Sequence, residues 1–472
     1  MNWKLFLTAT TLGVLCIFLS RSPIQLFLPP SIPGSQDKLQ AAEVIPLVGA
    51  VGPESLAFDP NGEGPYTGVA NGRILKWQGQ AQGWTEFSVT SPQREDCVRP
   101  FAPEMEHLCG RPLGLKFHPK TGDLYIADAY LGLHMVSPDG GPATKLVNQV
   151  EGEPLRFIND MDIHEEENAI YFTDTSTVFQ RRQFMAAIVS VDKTGRLLKY
   201  DISTKEVTVL LRGLAFANGV ALSKDRSFVL VAETTSCRVL RYWLQGPKAG
   251  TQDVFAVLPG FPDNVRRNSK GEFWVALHAK KGFLANLILS NSFFGKTLLK
   301  LPISIKQLHL MFVGFKAHAT AVKLNEEGQV VEVLEDCDGR NLKFISEVEE
   351  KDGDLWIGSV LMPFMARRYK LGWGQQDSSD THHTQRITGH GDSPELELSN
   401  ASTSIAEAFR KPVWENRGPT YECLQYMRGR VYSSPFLFLG ARARGVRFFD
   451  AWMANSWAPT GSPHLKWRSR MA

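Results

Sequence analysis

The feature that most constrains this chain is a set of acid and amide residues that each open a segment reading as a β-strand. They are Glu54 in GPESLAF, Asn159 in FINDMDI, Asn218 in FANGVAL and the pair Asp263-Asn264 in FPDNVRR. Asn and Asp are poor strand formers, so their recurrence at the head of apolar, β-branched runs points to a role other than strand propensity. The chain after them follows one plan: a short strand, a polar turn, a second strand with an aromatic near its start, another turn and a third strand. The plan starts at Glu54, Leu113, Asn159, Asn218, Asp263 and Phe344. Its turns, among them PNGEG, PKTGD, NSKGE and EKDGD, carry the Gly, Asn and Asp that hairpins require. Short-strand repeats of this kind signal a propeller, and these units predict an all-β, six-bladed β-propeller over residues 44–371. Radial strands would deliver their first residues to one central tunnel. Two carboxylates (Glu54, Asp263) and three amide carbonyls (Asn159, Asn218, Asn264) suit a hard cation such as calcium, which takes oxygen ligands. The alternative is that each is a turn residue bonding its own backbone.

With 52 Lys and Arg against 49 Asp and Glu, net +3, the chain carries no charge excess that would mark a nucleic-acid partner. It has no CxxC pair, no Gly-rich phosphate loop and no Gly-x-Ser-x-Gly elbow. Residues 5–20, LFLTATTLGVLCIFLS, form an uncharged, largely apolar run with Lys4 before it and Arg21 after it. Residues 1–22 therefore read as a signal peptide or as an uncleaved signal anchor, with membrane association through that segment in the second case. Either places the chain in the secretory pathway, with the ER lumen or vacuole as the expected destination. An oxidising lumen would let Cys97 and Cys109 close the proline-bearing loop CVRPFAPEMEHLC as a disulfide. Cys237 and Cys337 read as buried free thiols. The run Glu165–Glu167 reads as a solvated hairpin turn, and His118 as a surface turn residue.

The segment NLILSNSFFGKTLLKLPISIKQLHLMFVGF is apolar and helix-compatible and is expected between the fifth and sixth blades, as a cap over the tunnel, a membrane-contacting patch or plain core packing. Residues 372–472 open on a polar, period-free stretch and read as a disordered extension; Asn400 there is the single N-glycosylation sequon.

The stretch GRLLKYDISTKEVTVLLRGLAFANGVALSKDRSFVLVAETTSCRVLRYWLQGPKAGT, with YFTDTST, LCGRP, GEFWVA, DGDLWIGS and the spacing of Cys97 and Cys109, resembles the strictosidine synthase family of plants from about Val44 to Leu371. Within that family it looks most like the strictosidine-synthase-like branch. That branch is also similar to animal adipocyte plasma membrane-associated protein and to paraoxonase-type calcium-dependent hydrolases. The resemblance implies a six-bladed propeller of the endomembrane system. The family's condensing members use a glutamate near the start of the sixth blade as acid and base; its place is taken here by Ser346, and a hydroxyl with no activating base cannot shuttle protons at neutral pH. In a strand, Glu347 should face away from that position and Glu349 should sit by the outer turn. The paraoxonase-like ligand set, by contrast, is present at Glu54, Asn159, Asn218, Asp263 and Asn264. Paraoxonase-type lactonases also place a histidine pair near their ion, but Leu113 stands where one would fall. His107, in the cysteine loop, could overhang the tunnel mouth, and the base that activates water is unassigned.

Three readings follow. The first is a calcium-dependent hydrolase of small esters, lactones or phosphotriesters. The second is a non-catalytic propeller that binds a small molecule. The third is amine-aldehyde condensation of the strictosidine type, against which Ser346 argues.

Overall fold

A computed structural model describes residues 28–369. The leader (1–22), the extension (372–472) and Asn400 lie outside the described residues. Six four-stranded antiparallel sheets make six blades, the first extended by a parallel two-residue strand, Gly141–Pro142. Their innermost strands are Leu56–Ala57, Pro112–Phe117, Ile158–His164, Ala217–Leu222, Gly260–Arg267 and Glu347–Lys351. Each blade has a fourth strand that the three-strand plan lacks. In the third blade it is Val207–Leu214, which is half-buried or exposed at all but its last position and so carries no continuous apolar run to announce it. The sixth blade takes its outer strand, Glu43–Pro46, from the opposite end of the chain, paired with Phe364–Arg368. That pairing closes the ring and covers the edge of Phe364–Arg368.

The innermost strands are buried on both faces because neighbouring blades press against them. Ile158 in the third blade, Ala217 and Leu222 in the fourth, Val265 in the fifth and Val348 in the sixth are wholly excluded from solvent. Close approach at the axis requires glycine. A Cβ at Gly219 would stand 2.5 Å from the amide nitrogen of Val265, and one at Gly114 would stand 2.8 Å from the Cα of Asp160. Both glycines lie one blade away from the backbone they would strike, so they set the blade spacing.

Below the candidate site the axis is filled by one ion network. Arg266 donates to both carboxylate oxygens of Asp160, at 2.6 and 2.9 Å, and to Ser55 Oγ at 3.1 Å. It also pairs with Glu347 at 2.5 Å. Glu347 Oε1 accepts from the Leu56 amide at 2.6 Å. Glu347 points into the axis, facing away from Ser346 as alternation predicts, and the half-buried Glu349 lies within the electrostatic reach of Lys116 and Arg266 rather than beside the outer turn.

The apolar insert lies elsewhere than expected. Its helices, Phe283–Ser290, Ser292–Leu298 and Ile305–Phe312, run between the second and third strands of the fifth blade, not between the fifth and sixth. The strand Phe273–Lys280 and the strand Ala319–Leu324 pair directly, which leaves the insert to project from one end of the hairpin. His118 is a turn residue as expected, accepting from the Lys120 and Thr121 amides, but the turn is packed and the ring is buried. Cys237 is a buried free thiol, whereas Cys337 is only half-buried.

Cys97 and Cys109 are joined in a disulfide with their Cα atoms 5.6 Å apart. The short helix Glu106–Cys109 inside this loop turns Glu106 inward, where its two oxygens accept from Arg181 at 2.6 Å and from the Tyr130 hydroxyl at 2.9 Å. Two stability predictions follow from these contacts. Cys97→Ala/Cys109→Ala should lose about 3 kcal/mol, the chain-entropy value for a loop of this length, in urea unfolding. Arg266→Met leaves Asp160 and Glu347 buried and uncompensated and should cost about 3–5 kcal/mol in the same assay; an effect below about 1 kcal/mol would show that the network does not brace the axis.

Candidate functional site

Asn159 and Asn218 are the second residues of their innermost strands, Glu54 lies two residues before one, and Asp263 and Asn264 sit inside Gly260–Arg267 where its pairing register shifts; all five are buried. Glu54, Asn159, Asn218 and Asp263 line one cavity of about 90 Å³ at the end of the axis. Asn264 stands next to Asp263, and its amide nitrogen donates to Glu347 Oε2 at 3.1 Å, joining it to the network below.

The orientation of the amides is the informative detail. Asn159 Nδ2 donates to Thr175 Oγ1 at 3.0 Å, and Asn218 Nδ2 donates to Thr234 Oγ1 at 3.0 Å and to Asp263 Oδ1 at 2.7 Å. With every Nδ2 held by an acceptor, the carbonyl oxygens of Asn159, Asn218 and Asn264 are left buried without a partner, and so is Glu54 Oε2. A buried polar oxygen without a partner costs roughly 1–3 kcal/mol, and few folds hold four in one place.

The carboxylates tell the same story. Burial, and next the neighbouring Asp263, push the Glu54 carboxyl well above its ordinary range. Burial raises Asp263 to about 7 and Glu347 to about 7. Such groups resist ionisation until a cation is supplied. Among the described residues no group of three or more His, Cys, Asp and Glu side chains is arranged to hold a metal ion. The donors gathered here are of another kind, two carboxylates and three amide oxygens, and that all-oxygen set with four vacant acceptors fits a hard cation.

Above these oxygens the cavity wall is apolar, with Phe157, Phe216, Phe261 and Phe312 among its side chains, and Leu113 lies within it. Arg181 is a polar exception, held in place by Glu106 of the disulfide loop. His107 is exposed and does not reach the cavity. Ser346 does not reach it either. It is fully buried and its hydroxyl donates to the Glu54 carbonyl at 2.9 Å, so it serves the backbone that presents Glu54.

Two histidines that the sequence reading did not single out complete the site. His278, on the strand Phe273–Lys280, and His309, on the helix Ile305–Phe312, both line the cavity with their Nε2 atoms 3.0 Å apart. His278 Nδ1 lies 3.8 Å from Asp263 Oδ2. Burial pushes His309 down to about 4 and His278 well below its usual value, so both rings are neutral near pH 7. His278 becomes visible only with the strand register: its strand pairs with the strand bearing Asp263 through Pro262↔Leu277, which sets residue 278 diagonally beside residue 263. His309 had none, because it arrives on an inserted helix whose inward face reads as ordinary apolar packing through Leu308 and Phe312.

Comparison with known proteins agrees with this architecture. Residues 159–247 match the strictosidine synthase family, and residues 36–77 match the strictosidine synthase-like N-terminal family. The chain is 66% identical over 340 residues to strictosidine synthase-like protein 10 of Arabidopsis thaliana, covering 72% of this chain and 91% of that one. It is 52% identical over 349 residues to strictosidine synthase-like protein 3 of the same plant, covering 72% and 89%. Among solved structures, a gluconolactonase from Xanthomonas campestris aligns over 72% of this chain and 95% of its own at 14% identity and a TM-score of 0.45. With two thirds of its aligned positions identical to those of a relative that it spans almost end to end, this chain belongs to the strictosidine synthase-like family.

Proposed function

We propose that the protein is a calcium-dependent hydrolase acting on small esters, lactones or phosphotriesters. The observation that carries this reading is the group of four buried, partnerless oxygens, on Glu54, Asn159, Asn218 and Asn264, beneath an apolar cavity that also holds a neutral histidine pair. Asp263 would complete the ligand set. When bound, calcium supplies a Lewis acid that polarises a carbonyl or phosphoryl oxygen and stabilises the charge developing on it.

The protein's own groups supply the rest. The phenylalanine-lined wall takes the apolar part of the substrate and excludes water from it. The Nε2···Nε2 bond makes one imidazole the donor and the other the acceptor. We assign the shared proton to His309 Nε2, which leaves His309 Nδ1 a bare acceptor and accounts for that buried atom having no partner in the fold. Nδ1 then receives the proton of the attacking water, and His278, held beside Asp263, steadies the ring that becomes charged. Condensation of the strictosidine type is disfavoured, since the hydroxyl of Ser346 is committed to the Glu54 carbonyl. The disulfide supports a lumenal location.

Calorimetric calcium titration tests the ligand set. Asp263→Ala should weaken binding by at least about a hundredfold, more than loss of an outer-shell contact does, while Asn268→Ala, in the turn beyond the strand, should bind as wild type does. Equal affinity for Asp263→Ala and wild type would end the assignment. Turnover of an activated aryl ester tests the chemistry. It should cease with a chelator, fall roughly a hundredfold or more in kcat for His309→Gln, and survive Ser346→Ala. Burial pushes His309 down to about 4, so the base is free at neutral pH, and at saturating calcium, which keeps Asp263 ionised, activity should fail only as the pH drops towards about 4. An acid limb centred near 6.5 would remove His309 from the role. Calcium binding with no turnover on any ester, lactone or phosphotriester would leave a small-molecule-binding propeller.

A further inference from the structure

We propose that the helical insert in the fifth blade is a docking surface for an anionic lipid bilayer. The inference rests on exposure and charge and is independent of the hydrolase reading. The inner side of the insert is accounted for: Ala285, Ile288, Leu308 and Phe312 are buried against the propeller and the cavity. Its outer side is different. All four exposed phenylalanines of the described residues lie on it, Phe283, Phe293, Phe294 and Phe315, along with three of the four exposed leucines, Leu287, Leu299 and Leu301. The exposed large hydrophobics outside the insert are mostly single valines scattered over the blades, which is ordinary for a soluble surface. Phe293, Phe294 and Phe315 are 71%, 54% and 58% accessible, so these rings stand out from the surface rather than lie against it.

Charge identifies what covers this face. From Phe273 to Asn325 the sequence contains no Asp or Glu, while Lys281, Lys296, Lys300, Lys306 and Lys316 fall within or beside the helices. Lys316 pairs with Asp338 across the insert's base; Lys296 and Lys300, beside the phenylalanines, are exposed. A protein partner with an apolar face would not require the removal of every acid. Phenylalanine and leucine tips ringed by lysine suit a leaflet with negative headgroups, where the rings enter the acyl boundary and the ammonium groups stay at the phosphates. The helices have eight, seven and eight residues, too short to cross a bilayer, so the contact is interfacial. A shallow apolar groove between Ile303, Leu310, Met311 and Phe315 opens on the same element and offers room for part of an acyl chain. The helix Ile305–Phe312 also carries His309 and Phe312 into the cavity, so the docked face is the outer side of the cavity's own wall.

The test is hydrogen exchange on the full chain with vesicles of phosphatidylcholine containing about one third phosphatidylserine, chosen because those headgroups supply the negative surface. This readout is local, so tethering through residues 5–20 does not imitate it. Peptides within 283–301 and around residue 315 should gain protection on adding vesicles, and blade peptides should not. The gain should weaken at high salt and disappear in Phe293→Ser/Phe294→Ser, and it should fall at least tenfold in vesicle affinity for Lys296→Glu/Lys300→Glu; all four positions are exposed, so the variants should melt as wild type does. Vesicle-bound protein with unchanged exchange in 283–301 would overturn the proposal. So would equal protection in the Phe293→Ser/Phe294→Ser variant. Protection that rises with protein concentration in the absence of vesicles would assign the face to a second copy of the chain and overturn it equally.

Discussion

The structure depends on one guanidinium placed where four blades meet. Arg266 comes from the fifth blade, Asp160 from the third, Glu347 from the sixth and Ser55 from the edge of the first, and all four lie out of contact with water. Two carboxylates that close could not remain ionised inside a protein unless a cation were fixed between them. The arginine meets that need permanently, with five donors in a rigid fork. A propeller has no core at its centre in the ordinary sense, since every blade packs against its neighbours and leaves the axis over. Here the axis is held by charge.

One layer above, the arrangement repeats without a bonded arginine, Arg111 and Arg181 acting on Glu54 and Asp263 only through space. Glu54 and Asp263 are again two buried carboxylates, now with three amide oxygens beside them and no side-chain cation bonded to Glu54 Oε2. Asn264 and Glu347 link the layers, because the carboxylate that pairs with Arg266 also holds the Asn264 amide nitrogen and so turns its carbonyl oxygen free. The lower layer is complete as folded, while the upper one presents oxygen atoms with nothing to accept from. That contrast distinguishes the two layers more clearly than the carboxyl shifts do, since burial raises carboxyls in both.

The fifth blade supplies most of the site. It contributes Asp263 and Asn264 to the floor, Arg266 to the axis, His278 to the wall and, through its insert, His309 and Phe312 to the same cavity, with His309 against His278. The cysteine loop supports the site from the second blade's side by fixing Arg181 through Glu106. Ser346 has a structural part in this arrangement. The position lies under the Glu54 backbone and takes part in presenting the site rather than in lining it.

The sequence by itself determined the blade count, the disulfide and the gathering of the acid and amide residues near the axis. These rest on local rules: turn chemistry, alternation and the cost of placing Asn or Asp in a strand without purpose. Only the tertiary structure decided which of those residues share a cavity, that Glu347 faces the axis, and that His278 and His309 meet. The reason is physical. Ring closure by Glu43–Pro46 joins residues about three hundred positions apart, and an inserted helix can reach across the tunnel from any point on its blade. Contacts of that kind leave no periodic trace, because the chain between them is free to take any path that packs.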